Sequence, residues 1–357
     1  MQKVLVINEG YSHNLGDQAI LEAATRFYED KGYAVDFLYL SKPNIQALPK
    51  YNYKSLSLTK VKKNNLVLKL KASLSFFHWF LTNRKVILNT LNGNNYAIVS
   101  IGGGQLINTS GTNFPSAFAI ALFWFTHLIK KQAKQAKLYF VAIGAATQFN
   151  KVERYLYQSA LNKADHIWVR DEFSQHILRK IYTKKADLIP DIAFYKSKHT
   201  EVPIKTDVAL VGIASYEEVV LKYNKAVTKD TYFASVFLEI EGIQKMGLTV
   251  KLFYTTLLDV TAINEYNEYL VAENKTPHEI CAIQNLTDLI EELKKAKLVY
   301  SGRMHALILG LKYGCEVMPY LLSQKLRSFN EAYIAIHKDV SEISKEVELG
   351  LAPIFNS

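Results

Sequence analysis

Cysteine is almost absent from this chain, which has only Cys281 and Cys315 among its 357 residues. Two cysteines cannot build the disulfide framework of a small secreted domain, so we expect both thiols to be reduced, as in the cytoplasm. The cysteines and the nine histidines are scattered without the short spacings that metal ligands usually have. The sequence therefore predicts no metal site.

No apolar run reaches the roughly 18 to 20 residues that are needed to cross a bilayer. The longest run, Phe114 to Ile129, is interrupted by a proline and several polar residues, which favours a buried helix. The first eight residues form a short apolar strand that becomes polar too early for a signal peptide. We therefore predict a cytoplasmic protein, with peripheral attachment at the inner face of the plasma membrane as an alternative.

Acidic residues are missing from Phe37 to Val152, a stretch that holds fifteen lysines and arginines. Because the whole chain carries +10 and this stretch +15, the remainder carries −5. Such a basic region suits phosphorylated, acidic-glycan or anionic-lipid partners. The chain has no helix-turn-helix, zinc-finger or RNA-recognition signature, so we do not predict nucleic acid as a partner.

Part of this region, residues 54–85, combines many lysines with apolar residues at helical spacing (Leu66, Leu70, Leu74, Phe77 and Leu81). A basic amphipathic helix of this kind can lie on an anionic membrane. It can equally dock on the protein through its apolar face and leave its lysines in water. The sequence leaves both interpretations open.

Elsewhere, short apolar runs alternate with helical patterns, as in parallel sheets that are buried on both faces. Strands are predicted at residues 4–7, 35–39, 97–101, 138–143 and 166–169, and again at 208–213, 248–253, 280–283 and 298–300. We expect an N-terminal α/β domain (1–195), a polar linker (196–206) and a C-terminal α/β domain (207–357). The fold class is two doubly wound Rossmann-like domains facing across a cleft, with ligands at the carboxyl ends of the strands.

Two distant segments look like loops that lead into helices: Gly10 to Asp17 and Ser301 to Ala306. Free backbone N–H groups and the positive end of the helix dipole make such positions suitable for anions. Together the segments predict one anion site built from both halves of the protein.

These segments, together with Gly102 to Gly104, Val169 to Ser174 and Pro190 to Phe194, resemble the polysaccharide pyruvyl transferase family in their order along the chain. The resemblance runs from about Lys3 to Phe329. It implies a glycosyltransferase-B-like fold and transfer of pyruvate from phosphoenolpyruvate to a sugar of an exopolysaccharide, capsule or cell-wall glycan. The products would be a pyruvate ketal and phosphate.

The resemblance further implies phosphoenolpyruvate as donor substrate, no cofactor, and a glycan or lipid-linked saccharide as acceptor. Two other functions stay open. One is a sugar-nucleotide-dependent glycosyltransferase of the same architecture, and the other is a non-catalytic scaffold of an envelope-polysaccharide complex.

Arginines in two of the motifs are the predicted anion ligands. Arg170 ends a predicted strand, and Asp171 is the predicted N-cap of the next helix. The resemblance implies that Arg170 contacts the substrate; the alternative is a surface pair with Asp171. Arg303 would clamp phosphate or carboxylate bidentately, or else serve as a cap or interdomain salt bridge. His305 is the candidate for proton transfer because histidine ordinarily titrates near neutral pH, or else a hydrogen-bonded core residue.

Asp17 either caps the helix that follows it or orients and deprotonates the acceptor hydroxyl. The remaining predicted substrate-binding residues would bring bare backbone or a polar cap to the ligand. They are Asn14, Gly16, Gly102, Gly103, Gly104, Ser301 (as a helix N-cap) and Gly302. The glycine triplet has a second interpretation as a purely structural tight turn.

Overall fold

The computed structural model describes residues 1–9, 12–40, 80–111, 113–196, 204–220, 223 and 226–355. Within these ranges the chain forms two parallel sheets flanked by helices, which confirms the predicted α/β class. Most of the 54–85 segment and of the 196–206 linker lies outside the described residues. The membrane-binding helix and the domain limits therefore stay predictions.

The first sheet contains six parallel strands in the order β2-β1-β3-β4-β5-β6. Their apolar side chains are buried, as predicted for strands covered on both faces. The strands are β1 (Lys3–Asn8), β2 (Ala34–Tyr39), β3 (Tyr96–Gly102), β4 (Lys137–Ile143), β5 (His166–Val169) and β6 (Asp187–Leu188).

The second sheet contains five parallel strands in the order β11-β10-β7-β8-β9. They are β7 (Thr206–Gly212), β8 (Thr249–Phe253), β9 (Glu279–Ile280), β10 (Ala296–Ser301) and β11 (Glu316–Pro319). In both sheets the chain runs to one edge and then returns to the other side of the starting strand. The reversal falls between β1 and β3 in the first sheet and between β7 and β10 in the second.

Three strands differ from the sequence prediction. β6 and β11 were not expected, because β6 is two exposed residues and β11 begins with an exposed glutamate and ends with a proline. The strand predicted at 280–283 is shorter and ends at Ile280. The chain turns there, since Ile283 N–H donates to the carbonyl of Cys281 instead of to a neighbouring strand.

Helices cover the faces of both sheets. They are α1 (Leu15–Asp30), α2 (80–92), α3 (Ala117–Gln132), α4 (Lys151–Leu161), α5 (Glu172–Tyr182), α6 (Lys229–Lys245), α7 (Leu257–Ala272), α8 (Leu286–Lys295), α9 (Met304–Lys312), α10 (Gln324–Phe329) and α11 (Val340–Leu351). Helix α3 confirms the buried helix predicted from the run that begins at Phe114. Ser116 caps it by accepting a hydrogen bond from Ala119 N–H.

The end of the described chain returns to the first domain. Ile343, Val347 and Leu351 of α11 are fully buried in the same apolar cluster as Phe27 of α1 and Ile189. The sequence prediction placed these residues in the C-terminal domain. The apolar periodicity of α11 shows which face of the helix is buried, but not which part of the protein that face packs against. The first sheet is thus covered on one side by residues from both ends of the chain.

Candidate active site

The predicted site residues lie where the two sheets reverse direction. Asn14 follows β1 and Gly102 ends β3, at the reversal of the first sheet, while Ser301 ends β10 at the reversal of the second. Ligands of open α/β sheets bind at these positions, beyond the carboxyl ends of the strands. The start of α1 also contacts the loop that follows β8 of the second sheet, since Leu15 N–H donates to the carbonyl of Thr255 at 2.9 Å.

Asn14 begins α1, with its side chain accepting a hydrogen bond from Gly16 N–H at 2.9 Å. Asn14, and not Asp17, is therefore the N-cap, so the capping interpretation of Asp17 is wrong. Gly16 packs directly on His305, because a Cβ built on Gly16 would lie only 2.5 Å from His305 Nδ1. A bare α-carbon is what lets the imidazole ring approach the start of α1.

The other ring nitrogen of His305 faces a buried ion pair. Arg170 Nη1 donates to Asp191 Oδ2 at 2.8 Å, and His305 Nε2 lies 3.4 Å from the same oxygen and 3.5 Å from Arg170 Nη1. Arg170 is 5 % exposed and Asp191 3 % exposed, so the surface-pair interpretation of Arg170 does not hold. Burial acts to raise the pKa of Asp191, but Arg170 and His305 outweigh it and hold this pKa well below its usual range.

Asp17 lies in the first turn of α1 and accepts a hydrogen bond from the Ser12 hydroxyl at 2.9 Å. Burial raises its pKa, against the lowering effect of His305, Ser12 and the nearby cations. Burial, together with repulsion from Asp17, also raises the pKa of Glu9 to about 8. Glu9 belongs to none of the motifs from which the site was predicted. Two carboxyl groups that resist ionisation thus line one cavity, and the charge of His305 acts on one of them, Asp17.

Arg303 is paired with an acid of the second sheet's domain, as in the salt-bridge alternative, and its predicted contact with substrate stays a prediction. It is the N-cap of α9 without a side-chain cap bond, and its Nε and Nη2 donate to Asp259 Oδ1 at 2.9 and 2.6 Å. The other oxygen of Asp259 accepts from the backbone N–H of Thr256 at 3.0 Å. Arg303 therefore connects α9 to the loop that touches Asn14 and Leu15, as in the salt-bridge alternative, and not to the His305 cluster.

Ser301 and Gly302 support this turn. Ser301 is the last residue of β10, not a helix N-cap, and its hydroxyl accepts from Arg303 N–H at 3.0 Å. Gly302 is tightly packed, since a Cβ there would lie 3.1 Å from Leu322. Their predicted substrate contacts stay predictions.

The glycine triplet forms the turn after β3. Gly103 and Gly104 have φ of 77° and 65°, the left-handed region that favours glycine. A Cβ on Gly103 would lie 1.9 Å from Ile20 of α1, so the turn is required for packing whatever else it does. All three glycines also line a cavity together with Asn14 and Asp17, and their predicted contact with substrate stays a prediction.

Residues that act on His305 line two cavities: Asp17 lines one, and Arg170 and Asp191 line the other. The glycine-loop cavity, about 170 Å³, is lined by Gly102, Gly103 and Gly104 with the acids Glu9 and Asp17. The Arg170 cavity, about 680 Å³, is lined by charged side chains, among them Arg170, Asp191 and Lys325, and by apolar side chains such as Phe194, Phe329 and Leu349. The two spaces differ in their ionisable groups, since the first is lined by the acids Glu9 and Asp17 alone, whereas the second is lined by both acids and bases.

Sequence reasoning missed Lys325 and gave Asp191 no role. Asp191 was visible within the Pro190 to Phe194 motif, but its contact with Arg170 spans elements far apart in sequence. Lys325 belongs to no motif that we recognised. Burial, and then the charge of Arg170, lowers its pKa to about 7.

In the described ranges, no three or more His, Cys, Asp or Glu side chains are grouped so as to hold a metal ion. Over the same ranges, every helix is either too short or too polar to cross a membrane.

A model of the polysaccharide pyruvyl transferase family matches residues 14–322. The chain belongs to this family. No curated protein matches the chain. The matched range of the pyruvyl transferase family contains Asp17, the glycine triplet, Arg170, Asp191, Arg303 and His305, but it stops short of Lys325.

Solved structures show the fold that this pyruvyl transferase family member shares with other enzymes. A glycosyltransferase from Rickettsia africae is 10 % identical with a TM-score of 0.50, over 99 % of this chain and 94 % of that one. A UDP-GlcNAc 2-epimerase from Methanocaldococcus jannaschii is 12 % identical with a TM-score of 0.49, over 99 % and 93 %. The first similarity confirms the glycosyltransferase-B-like arrangement of the two domains.

Proposed function

We propose that this protein transfers pyruvate from phosphoenolpyruvate to a sugar of an exopolysaccharide, capsule or cell-wall glycan, forming a pyruvate ketal and releasing phosphate. The observation that carries the proposal is the convergence of Asp17, Arg170, Asp191 and His305 at one buried point from four separate motifs. Together with family membership, it supports a site with anion-binding, acid and base groups within reach of one substrate.

The reaction needs a proton on the enol methylene carbon, which develops oxocarbenium character at the adjacent carbon. A sugar hydroxyl attacks that carbon and gives up its proton, which balances the proton taken up by the methylene carbon. Phosphate then leaves with the bonding electrons of its C–O bond, and the second hydroxyl closes the ketal and gives up its proton, which the released phosphate carries away. A buried guanidinium such as Arg170 stabilises the anionic groups of the donor in a low-dielectric site. His305, held between Gly16 and Asp191, is the group we assign to proton transfer.

Asp17 is the group we assign to the acceptor. Its carboxylate lines the glycine-loop cavity, and the raised pKa makes it a stronger base, when ionised, than an ordinary aspartate. The bare backbone of Gly102 to Gly104 leaves space for a sugar ring beside it. Because phosphoenolpyruvate is a cytoplasmic metabolite, we place the reaction in the cytoplasm, with no cofactor, acting on a free glycan or a lipid-linked saccharide.

The test is to incubate the purified protein with phosphoenolpyruvate and a glycan acceptor and to measure both products. We expect release of inorganic phosphate and a new ketal methyl signal in the NMR spectrum of the glycan. A His305→Ala variant is the control and should release no phosphate above background. Phosphate release without a ketal would refute the proposed reaction.

The glycosyltransferase-like fold favours a second candidate, transfer of a sugar from a sugar nucleotide. The same incubation with sugar nucleotides distinguishes the two, because that reaction releases a nucleotide and leaves phosphoenolpyruvate unchanged. Nucleotide release that depends on His305, without consumption of phosphoenolpyruvate, would replace the first proposal by the second.

A further inference from the structure

A short turn after β6 is contacted by both ends of α9. This turn, which we call the Asp191 turn, consists of Asp191 and the 3-10 helix Ile192–Phe194. At the start of α9, His305 Nε2 lies 3.4 Å from Asp191 Oδ2. At the end of α9, Lys312 Nζ donates to the carbonyl of Ala193 at 2.9 Å. The two side chains are about two helical turns apart, so they lie on the same face of α9, roughly 10 Å apart along its axis.

The hydrogen bond from Lys312 is made to the residue that orients the Asp191 carboxylate. Asp191 Oδ1 accepts a hydrogen bond from the backbone N–H of Ala193 at 3.0 Å. The other oxygen, Oδ2, accepts from Arg170 Nη1 at 2.8 Å and faces His305. Ala193 is therefore fixed through its N–H by Asp191 and through its carbonyl by Lys312. A shift of Ala193 would turn the carboxylate and change its contacts with His305 and Arg170.

Packing alone does not account for a lysine at position 312. Burial and the nearby Arg26 lower the pKa of Lys312 to about 7, whereas Glu22 and Asp191 act in the opposite direction. Arg26 is itself paired with Glu22 at 2.6 Å, and within the described ranges the one hydrogen bond of the Lys312 ammonium goes to the Ala193 carbonyl. An ammonium in such surroundings is costly, and an apolar side chain of similar length would fill the space without that cost. What the lysine adds is the hydrogen bond to the Asp191 turn.

We propose that Lys312 is a positioning residue of the active site: by holding the Asp191 turn, it keeps the Asp191 carboxylate where it orients His305 for proton transfer. This inference rests on the proposed function, which gives His305 its role, and it adds a residue that lines neither of the two cavities. Because α9 carries both His305 and Lys312, the helix fixes the imidazole ring relative to the turn that faces it. Ile308, between them on α9, belongs to the same buried apolar cluster as Ala193 and supports this arrangement.

The charge of Lys312 gives this role a signature in the pH dependence of turnover. Since the pKa of Lys312 is about 7, the ammonium is present below this pH and a neutral amine above it. The charged groups that act on it are Arg26 and Glu22 of α1 and Asp191 of the turn. A charge-assisted hydrogen bond is about twice as strong as a neutral one, so the bond to Ala193 weakens as the pH rises through 7. The contribution of Lys312 to kcat should therefore be larger at pH 6 than at pH 8.5.

The experiment compares Lys312→Met with the wild type in phosphate release from phosphoenolpyruvate, with a glycan acceptor, at pH 6 and pH 8.5. Methionine keeps an unbranched side chain but cannot donate a hydrogen bond. Misplacement of a catalytic group by about 1 Å can cost about 10²-fold, so kcat should fall roughly tenfold to a hundredfold at pH 6 and by a smaller factor at pH 8.5. Lys130→Met is the matched control and should turn over like the wild type. Lys130 is also partly buried, but it pairs with Asp165 at the amino end of β5, opposite the site.

A second measurement does not require turnover. The NMR signals of the His305 ring, assigned by their absence in His305→Gln, report the surroundings of the imidazole directly. We expect these signals to move in Lys312→Met and in Asp191→Asn, and to stay in place in Lys130→Met. Lys312→Arg keeps a protonated donor at both pH values, so it should retain most of the turnover and lack the component of the pH dependence that Lys312 causes. Thermal unfolding of each variant establishes that it is folded.

Unchanged kcat and unmoved His305 signals in a folded Lys312→Met would overturn the proposal and leave Lys312 a role in stability alone. An equal loss in Lys130→Met, or the same fractional loss at pH 6 and pH 8.5, would overturn it as well. If Lys312→Met does not fold, Lys312→Arg decides, since the same pH dependence as in the wild type would contradict the role of the ammonium. If the His305 signals move but even the wild type releases no phosphate, the positioning role stands and the proposed reaction fails.

Discussion

Gly16→Ala is the substitution that tests the proposed role of His305 without changing a titratable group. The added Cβ would lie 2.5, 2.7 and 2.8 Å from Nδ1, Cγ and Cβ of His305. Carbon atoms in comfortable contact are about 3.5 to 4.0 Å apart, so the ring must move by about 1 Å. The opposite side of the ring faces Arg170 and Asp191, and any movement alters those distances too.

Two magnitudes follow from this displacement. Overpacking of a filled site typically costs about 1 to 3 kcal/mol, so the fold should survive with reduced stability. Misplacement of a catalytic group by about 1 Å can cost about 10²-fold in rate. We therefore expect turnover to fall by about 10²-fold in a protein that is still folded.

Two assays on the same protein preparations check these magnitudes. Phosphate release from phosphoenolpyruvate measures turnover, and urea unfolding measures stability. The matched control is Gly242→Ala in α6, where an added Cβ meets nothing within 4 Å. Alanine should stabilise that helix by about 0.5 to 1 kcal/mol and leave turnover unchanged. Unchanged turnover and stability in Gly16→Ala would refute both the close contact with His305 and the importance of its position.

Three further predictions concern other residues. His305→Gln should keep most of the stability and lose about 10² to 10⁴-fold in kcat, whereas a change confined to KM would make it a binding residue. Arg303→Ala should leave Asp259 buried and unpaired and cost about 3 kcal/mol in urea unfolding; Asp259→Ala should cost a similar amount, and the double variant less than the sum. If the basic segment 54–85 binds membranes, the fraction of protein that co-sediments with anionic vesicles should fall as salt is added. The reason is that charges are screened over about 8 Å at physiological ionic strength. Vesicle binding should also fall when four lysines of the segment are changed to glutamine: Lys62, Lys63, Lys69 and Lys71. Equal, salt-independent partitioning of the wild type and this variant would contradict the membrane interpretation.

Sequence patterns predicted the parts of this fold that depend on local chemistry. Buried parallel strands read as apolar runs, so β1 to β5 were placed within a residue or two, and Asp171 was recognised as a cap. Ser301 was assigned wrongly as a cap because a serine before a helix resembles one, whereas here it ends a strand and binds Arg303 N–H.

The site was harder to predict, because its contacts are between residues distant in sequence. Arg303 and Asp259 are 44 positions apart, and no local pattern shows that this arginine is already neutralised. The sequence around Lys325 looks like the start of an ordinary exposed helix. Only the fold brings this lysine near Arg170 and Asp17. The motifs therefore indicated which residues gather at the site, but not which charged residues pair with one another there.

The return of α11 to the first domain also bears on how the protein is made. Ribosomes synthesise the chain from its N-terminus, and domains usually fold as they emerge. Here Phe27 and Ile189 are covered by Ile343, Val347 and Leu351, which are synthesised much later. The nascent first domain must therefore keep an apolar face exposed until α11 has been translated. During that interval it is a natural substrate for chaperones, and the last turns of α11 mark the point at which this exposure ends.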